Sequence, residues 1–460
     1  MISRENIDEI KKIFGEERCL NDELTLQKYS SDETKISFIP DLVVFPSSTE
    51  EISMLMKIAN REKIPVTPRG AGTGYSGGAI AVRGGVILSL EKMNRILSID
   101  PENLIGVVEP GVITEHFHKE VEKYGLCYPP DPASLDKSTI GGNLAENAGG
   151  PRCFRYGVTR NYVLGTKAVL PDGEIIKTGS STIKNVVGYD LTHLLIGSEG
   201  TLAIVTEIIL RLVPLPPNRT TLRFGFDSYI KAANFISEII REKVFPSSLE
   251  FMDELSIKYS SQYLNIKVDE KIKAFILTEI DGELEAIEKI KEKILAVSER
   301  YSPLEVKIPK DKKEEEDIWI FRKNVSSAIN MAKPKKYNQD IVVPRMKIPE
   351  ILEIINEIGK KYKILTISFG HAGDGNIHTN FMIDDSNPEE VENVEKAINE
   401  LFNEVIKLGG VISGEHGIGI TKSRFINLQL SPLEIEIMKK IKKVFDPNGI
   451  LNPGKIFPLF

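Results

Sequence analysis

At 460 residues the chain is long enough for two or three domains and can bury a whole cofactor. Its 59 basic and 66 acidic residues give a net charge of −7 in short mixed runs without a basic stripe, which argues against a nucleic-acid partner. No window approaches the ~18 apolar residues of a membrane span and the opening MISRENIDEIKKIFG lacks a signal peptide's apolar core, so a cytoplasmic protein without a transmembrane segment is expected. Cys19, Cys127 and Cys153 are odd in number and far apart, which disfavours a disulfide framework or a cysteine metal site.

In chain order, DLVVFP reads as a short strand, and Ser48 with Glu51 as a capping box for a helix near 49 to 61. KIPVTP is a second strand and delivers PVTPRGAGTGYSGG, Pro65 to Gly78, where glycine density lets successive amides face one concavity and hold an anion. Gly72, Gly74 and Gly77 also satisfy GxGxxG, but a dinucleotide-binding loop must open directly into a helix with an acidic residue about 20 positions on. Here AIAVRGGVILSL follows, so the reading is strand, diphosphate-holding loop, strand. LIGVVEPG is another strand, and a helix from about Ile113 to Tyr124 carries His116 and His118 as ordinary surface residues.

The region from Tyr128 to Gly165 is too long and too organised for a linker. Pro129, Pro130 and Pro132 stiffen its entry, and Gly141, Gly142, Gly149 and Gly150 admit close approach of a flat ring. A hairpin at Pro171 to Gly173 follows, then IGSEGTLAIVTEIILRLVPLPP with a third glycine turn, a long strand and prolines marking a domain boundary. From about Thr220 to Asn330 the chain is helix-rich with some strand, KDKKEEED is a solvated face, and DIWIFRKNVSSAI sets Arg322 and Ser326 four apart on one helix face.

The run ILTISFGHAGDGNIHTNFMI carries the sharpest chemistry. Asp374-Gly375 as a two-residue hairpin tip places Gly373 opposite Asn376 and His371 opposite His378, with Cβ atoms about 5 Å apart. Both imidazoles then reach one divalent metal, and Asn380 shares their face. Farther on, GVISGEHGIG offers Glu415 and His416, and Glu415 completes a set of two histidines and a carboxylate. A structural or merely substrate-binding histidine pair is the open alternative.

These strings together, PRGAGTGYSGG, STIGGNLAENAGG with RYG, VGYDLTHLLIGSEGTLAIVT, GHAGDGNIH, SGEHGIG and FDPNGILNPGK, resemble the flavin-linked D-2-hydroxy-acid dehydrogenases over essentially the whole chain. That family includes the glycolate oxidase large subunit, D-lactate dehydrogenases and D-2-hydroxyglutarate dehydrogenase. The resemblance implies an α+β fold: a two-part FAD-binding domain of the vanillyl-alcohol-oxidase type over residues 1–217, an α+β cap with antiparallel sheet over 218–417, and a segment 418–460 returning to the FAD domain. It implies FAD contacts at Arg69, Gly70, Ala71, Gly72, Thr73, Gly74, Ser76, Pro130, Thr139, Gly142, Asn143, Gly149, Glu199, Gly200, Ile204, Val205 and Asn452. His371, His378 and Glu415 become ligands of zinc, or of manganese or iron as in relatives. Arg322, Ser326 and Asn380 become substrate contacts, and His416 the catalytic base. Ala203 departs from the family's usual glycine, KPKKYNQD matches poorly, and the loop lacks a tethering histidine, so FAD is expected to be noncovalent.

The implied reaction is hydride transfer from a D-2-hydroxy acid, of the D-lactate or glycolate class, to flavin N5. Electrons then leave for an iron-sulfur subunit, an electron-transfer flavoprotein or a quinone. A homodimer and peripheral attachment at the membrane are compatible with this reading. The alternatives are a same-fold flavoenzyme acting on another alcohol or an aldonolactone, and a noncatalytic electron-transfer subunit.

Overall fold

The computed structural model describes residues 2–458 and divides the chain into two units. The first comprises Met1–Gly149, Val158–Leu215 and Glu415–Phe460; the second comprises Gly150–Gly157 and Pro216–Gly414. The divisions fall two or three residues before the boundaries expected at 217 and 417. Gly150–Gly157 belongs to the second unit because Arg152 and Tyr156 bond to Glu279 and Asp281 of that unit's sheet.

In the first unit, the apolar run DLVVFP forms strand Leu42–Val44, buried on both faces. Helix Thr49–Glu62 starts where Ser48 Oγ accepts the Glu51 amide at 3.2 Å. The reciprocal bond closes one residue early: Glu51 accepts from the Ser47 amide and takes a two-pronged contact from Arg18. Four strands lie in the order Cys19–Leu20, Leu42–Val44, Val86–Ser89, Val66–Arg69, and all but the first run parallel to their neighbours. Helix Thr49–Glu62 covers this sheet through Ile52, Leu55 and Met56.

A second sheet of five antiparallel strands orders Ile96–Asp100, Ile105–Val108, Ile204–Arg211, Val163–Val169 and Ile175–Gly179. The tail returns to this unit. Ile450 and Leu451 enter the first sheet's core, and Val66 exchanges backbone bonds with Ile450 and Asn452.

The second unit is built on seven antiparallel strands in the order Glu305–Lys307, Asn218–Phe226, Ala274–Gly282, Ser248–Asp253, Leu365–Gly370, Asn376–Ile383, Lys335–Val342. Alternation along Ala274–Gly282 sends Phe275 and Leu277 into a core with Ile257, Ile318, Phe321 and Val325. Ile276 faces the other way beside its ladder partner Phe224, whose ring lies 4.9 Å from Phe235 of helix Tyr229–Arg241. The sheet is therefore covered on both faces. Among the described residues no helix is long and apolar enough to cross a membrane.

Candidate active site

The histidine hairpin differs from its expected register by two residues. Phe369 pairs with His378, so His371 lies across from Asn376, whose amide bonds the His371 carbonyl at 3.2 Å. Residues 371–375 make a five-residue tip instead of a two-residue turn. Tertiary bonds decide this: the Gly373 amide donates to Leu249 at 2.9 Å, and the Val343 amide donates to Gly375 at 3.1 Å. Because the shift is even, both histidines keep one face of the sheet. Their rings stand 5.3 Å apart and nearly perpendicular, at 88°.

Continuing the ladder sets His371 across from Glu250 of strand Ser248–Asp253. Glu250 is wholly buried, and its oxygens lie 2.8 and 3.0 Å from His371 Nδ1. A carboxylate on Nδ1 fixes the tautomer, making Nε2 the basic nitrogen that a metal would take. Arg322 Nη2 meets the same carboxylate at 2.7 Å. Burial alone would push Glu250 up; the charges of His371 and Arg322 outweigh it and hold the carboxyl below its usual range.

Arg322 is itself buried, with its guanidinium 5.1 Å from the centre of the Phe369 ring. Its Nε is buried with no protein acceptor. Such an orphaned donor costs about 1–3 kcal/mol, which an anionic ligand would relieve.

Asp340 pairs with His378 in the next ladder and has an oxygen 3.8 Å from His378 Nδ1. It also accepts from Asn376 Nδ2 at 2.7 Å and from the Gly414 amide at 2.9 Å. Glu250, Asp340 and Asn376 were not singled out from the sequence. An acid in the middle of the apolar stretch LEFM was the available signal, since a buried carboxylate demands partners.

Two expected substrate contacts sit differently. Asn380 is fully buried, its amide donating to the carbonyls of Ile367 and His378 and accepting from Asn338. Ser326 does not share an unbroken helix with Arg322: Lys312–Lys323 ends, Val325–Ala328 begins, and Ser326 Oγ accepts from Lys336 at 3.0 Å.

In the first unit, the loop after strand Val66–Arg69 returns on itself, Arg69 Nη1 donating to the Ala79 carbonyl at 3.1 Å. Among the described residues, the amides of Ala71, Gly72, Thr73 and Gly74 meet no protein acceptor. Successive unanswered amides in a glycine loop suit a diphosphate, so the residues present fit FAD. Two glycines are obligatory there. Gly72 has φ 71° and Gly77 φ 76°, and added Cβ atoms would lie 2.2 Å from Arg69 Nη2 and 2.5 Å from Ile420 Cγ1.

Thr139 caps the short helix Ile140–Glu146 by accepting from the Gly142 amide at 3.2 Å, and stands 2.4 Å from where a Gly70 Cβ would be. Asn143 donates to Thr114 at 2.8 Å, which leaves its role structural on that side. The Pro130 carbonyl accepts from His118 Nε2 at 3.0 Å, so His118 is a half-buried anchor of the proline entry instead of a plain surface residue. Gly149 ends the first unit's chain segment, and Gly200 has φ 63° against Pro68. The Ile204 side chain is core, Val205 packs at the second sheet's core, and Ala203 fills that same core.

Asn452 Nδ2 ties the carbonyls of Gly78 and Glu199 together at 3.0 and 2.7 Å. The Glu199 carboxyl accepts the Ile418 and Gly419 amides, both at 2.7 Å. Ser76 accepts the Ile420 amide on its carbonyl at 2.8 Å, and the Tyr75 and His416 rings lie 5.2 Å apart.

Residues 215–456 match the family of FAD linked oxidases, C-terminal domain, and residues 40–179 match an FAD binding domain. The chain belongs to the FAD-linked oxidases. This FAD-linked oxidase is 42% identical to the glycolate oxidase subunit GlcD of Bacillus subtilis, over 99% of this chain and 97% of that one. It is 37% identical to a D-lactate dehydrogenase of Anaerostipes hadrus over 99% and 98% of the two chains. It is 36% identical to a D-2-hydroxyglutarate dehydrogenase of Stutzerimonas stutzeri over 98% of each. The fold of p-cresol methylhydroxylase superposes with a TM-score of 0.83 at 18% identity, covering 99% of this chain and 96% of that one. The α+β fold is thus of the vanillyl-alcohol-oxidase type, and the chain is an FAD-linked oxidoreductase.

Proposed function

We propose that this enzyme oxidises a D-2-hydroxy acid of the lactate or glycolate class to the 2-oxo acid and passes the electrons to a separate acceptor. The observation that carries the reading is the buried Arg322, whose Nε lacks a protein partner beside the His371–Glu250 pair. A substrate carboxylate satisfies that donor and fixes the α-carbon. His371 and His378, with Glu415 next in the chain after Gly414, are the residues that would hold a divalent metal, zinc by preference. Such an ion would lower the pKa of the substrate hydroxyl. FAD held along Arg69 to Ser76 would supply the two-electron acceptor for the α-hydrogen. His416 takes the hydroxyl proton.

Iron-sulfur proteins, electron-transfer flavoproteins and quinones are the acceptor classes that fit, since the sequence carries no second nucleotide loop and no cysteine ligand set. The test is anaerobic flavin bleaching with paired D- and L-acids and bound-metal analysis. His416→Ala is expected to keep FAD while slowing reduction by about 10²- to 10⁴-fold. Normal reduction in that variant removes His416 from the reaction, and equal bleaching by L-acids removes the stereochemical assignment.

A further inference from the structure

Around the loop that follows His416, four elements of the first unit close on one another. Glu199 sits at the third glycine turn with φ 52°, a conformation that costs a non-glycine residue and persists where the surroundings hold it. Both of its carboxyl oxygens are occupied, Oε1 by the Ile418 amide and Oε2 by the Gly419 amide. Its carbonyl accepts from Asn452 and its amide donates to Ala145 at 2.9 Å. Glu146 approaches from a second side. A Cβ on Gly417, which has φ 82°, would lie 2.0 Å from Glu146 Oε2 and 3.1 Å from Glu199 Oε1. Glu146 Oε1 in turn accepts from Ser76 Oγ at 3.2 Å.

Two acceptor bonds at 2.7 Å need both oxygens of Glu199 as acceptors, the arrangement of a carboxylate. Glu146 has a buried oxygen without a partner, and burial pushes both carboxyls up, Glu146 the further because the Glu199 charge adds to it while the Ile418 and Gly419 amides pull Glu199 back down.

We propose that Glu199 is a positioning residue that clamps the His416 loop through the Ile418 and Gly419 amides, with Glu146 closing the space beside Gly417. It acts through the backbone amides that its carboxyl holds. The inference rests on His416 as the base of the proposed reaction. The clamp also explains why two glycines follow His416 in GIG: amides can reach one carboxylate side by side only where Gly417 and Gly419, at φ 82° and 48°, turn the chain.

The test uses the full-length, FAD-loaded enzyme with Glu199→Gln and Glu199→Asp. Glutamine turns an NH2 toward one of the two amides, and aspartate is too short to span both. Both variants are expected to bind one FAD per chain and to exchange the Ile418 and Gly419 amides with solvent about 10- to 100-fold faster. Substrate-driven flavin reduction should slow by a similar factor, with the saturation constant for D-lactate nearly unchanged. Unchanged amide exchange in both variants overturns the clamp, as does loss of FAD with exchange intact, which would make Glu199 a cofactor contact. A full reduction rate in Glu199→Gln beside a disabled His416→Ala also overturns it. If His416→Ala itself reduces normally, the reading of His416 fails instead, while faster exchange in Glu199→Gln still reports the clamp.

Discussion

At the hairpin tip of the second unit, His371, Glu250 and Arg322 answer one another at 2.7 to 3.0 Å, all of them buried. Along Ala71 to Gly74 of the first unit, the amides meet no acceptor among the described residues. One region is made of side chains whose charges balance before any ligand arrives; the other is made of backbone whose donors wait for one. The difference predicts two kinds of failure. Damage to the first should appear as lost stability and lost metal affinity, and damage to the second as lost cofactor with the cap intact.

The sharpest break is Glu250→Ala, which leaves His371 and Arg322 facing each other in a fully buried space. Removing one partner of a buried ionic network costs about 3–5 kcal/mol. Losing the group that orients a ligating imidazole costs about 10- to 100-fold in metal affinity. Denaturant unfolding and bound-metal analysis check both, with the FAD content expected to hold. Wild-type stability in this variant would mean that the balance at the tip is not what keeps the cap folded.

A second acid on the same strand sharpens the point, because Asp253 is half-buried at the strand's end and no cation is among the groups that shift it. Burial pushes its carboxyl from 3.8 up to about 6, against the amides of Ser256 and Ser368, which pull it down. The folded state therefore holds a proton that the unfolded chain has released between those two values. Its contribution is complete below about pH 4 and is lost as pH rises through about 6, by about 2 kcal/mol once its residual solvent contact is allowed for. Asp253→Asn should flatten that part of the stability curve relative to wild type. An identical pH slope in the two proteins would show that Asp253 titrates normally.

The two regions were also unequally legible in the sequence. Glycine density announces a backbone cradle because few other residues tolerate positive φ, and Gly72 and Gly77 adopt it. The shared face of His371 and His378 was legible from parity alone. Their register was not, since Gly373 and Gly375 are held by Leu249 and Val343, partners remote in the chain. Glu250 and Asp340 stayed hidden for the same reason: strand order decides which acid meets which histidine, and local spacing carries no strand order. Glu199 stood out as a residue of the third glycine turn, but its bonds to the amides of Ile418 and Gly419 were not legible, because nothing near it in sequence points to them.

The smallest effect on stability should come from Gly72→Ala. The methyl group forces a left-handed residue, which costs about 1–2 kcal/mol. It also meets Arg69 Nη2 at 2.2 Å, and Arg69 cannot swing aside freely because it is buried and bonded to Ala79. The chain has another way to relieve both strains, which is to let the loop leave its curve. That relief scatters the amides of Ala71 to Gly74, so the folded protein survives and the anion cradle does not. Gly72→Ala should accordingly unfold only slightly earlier than wild type, emerge from gel filtration without FAD, and bind metal as before. Retained FAD at full occupancy would mean that the cradle tolerates a loop displaced by a methyl group, and that its hold on the diphosphate comes from elsewhere in the unit.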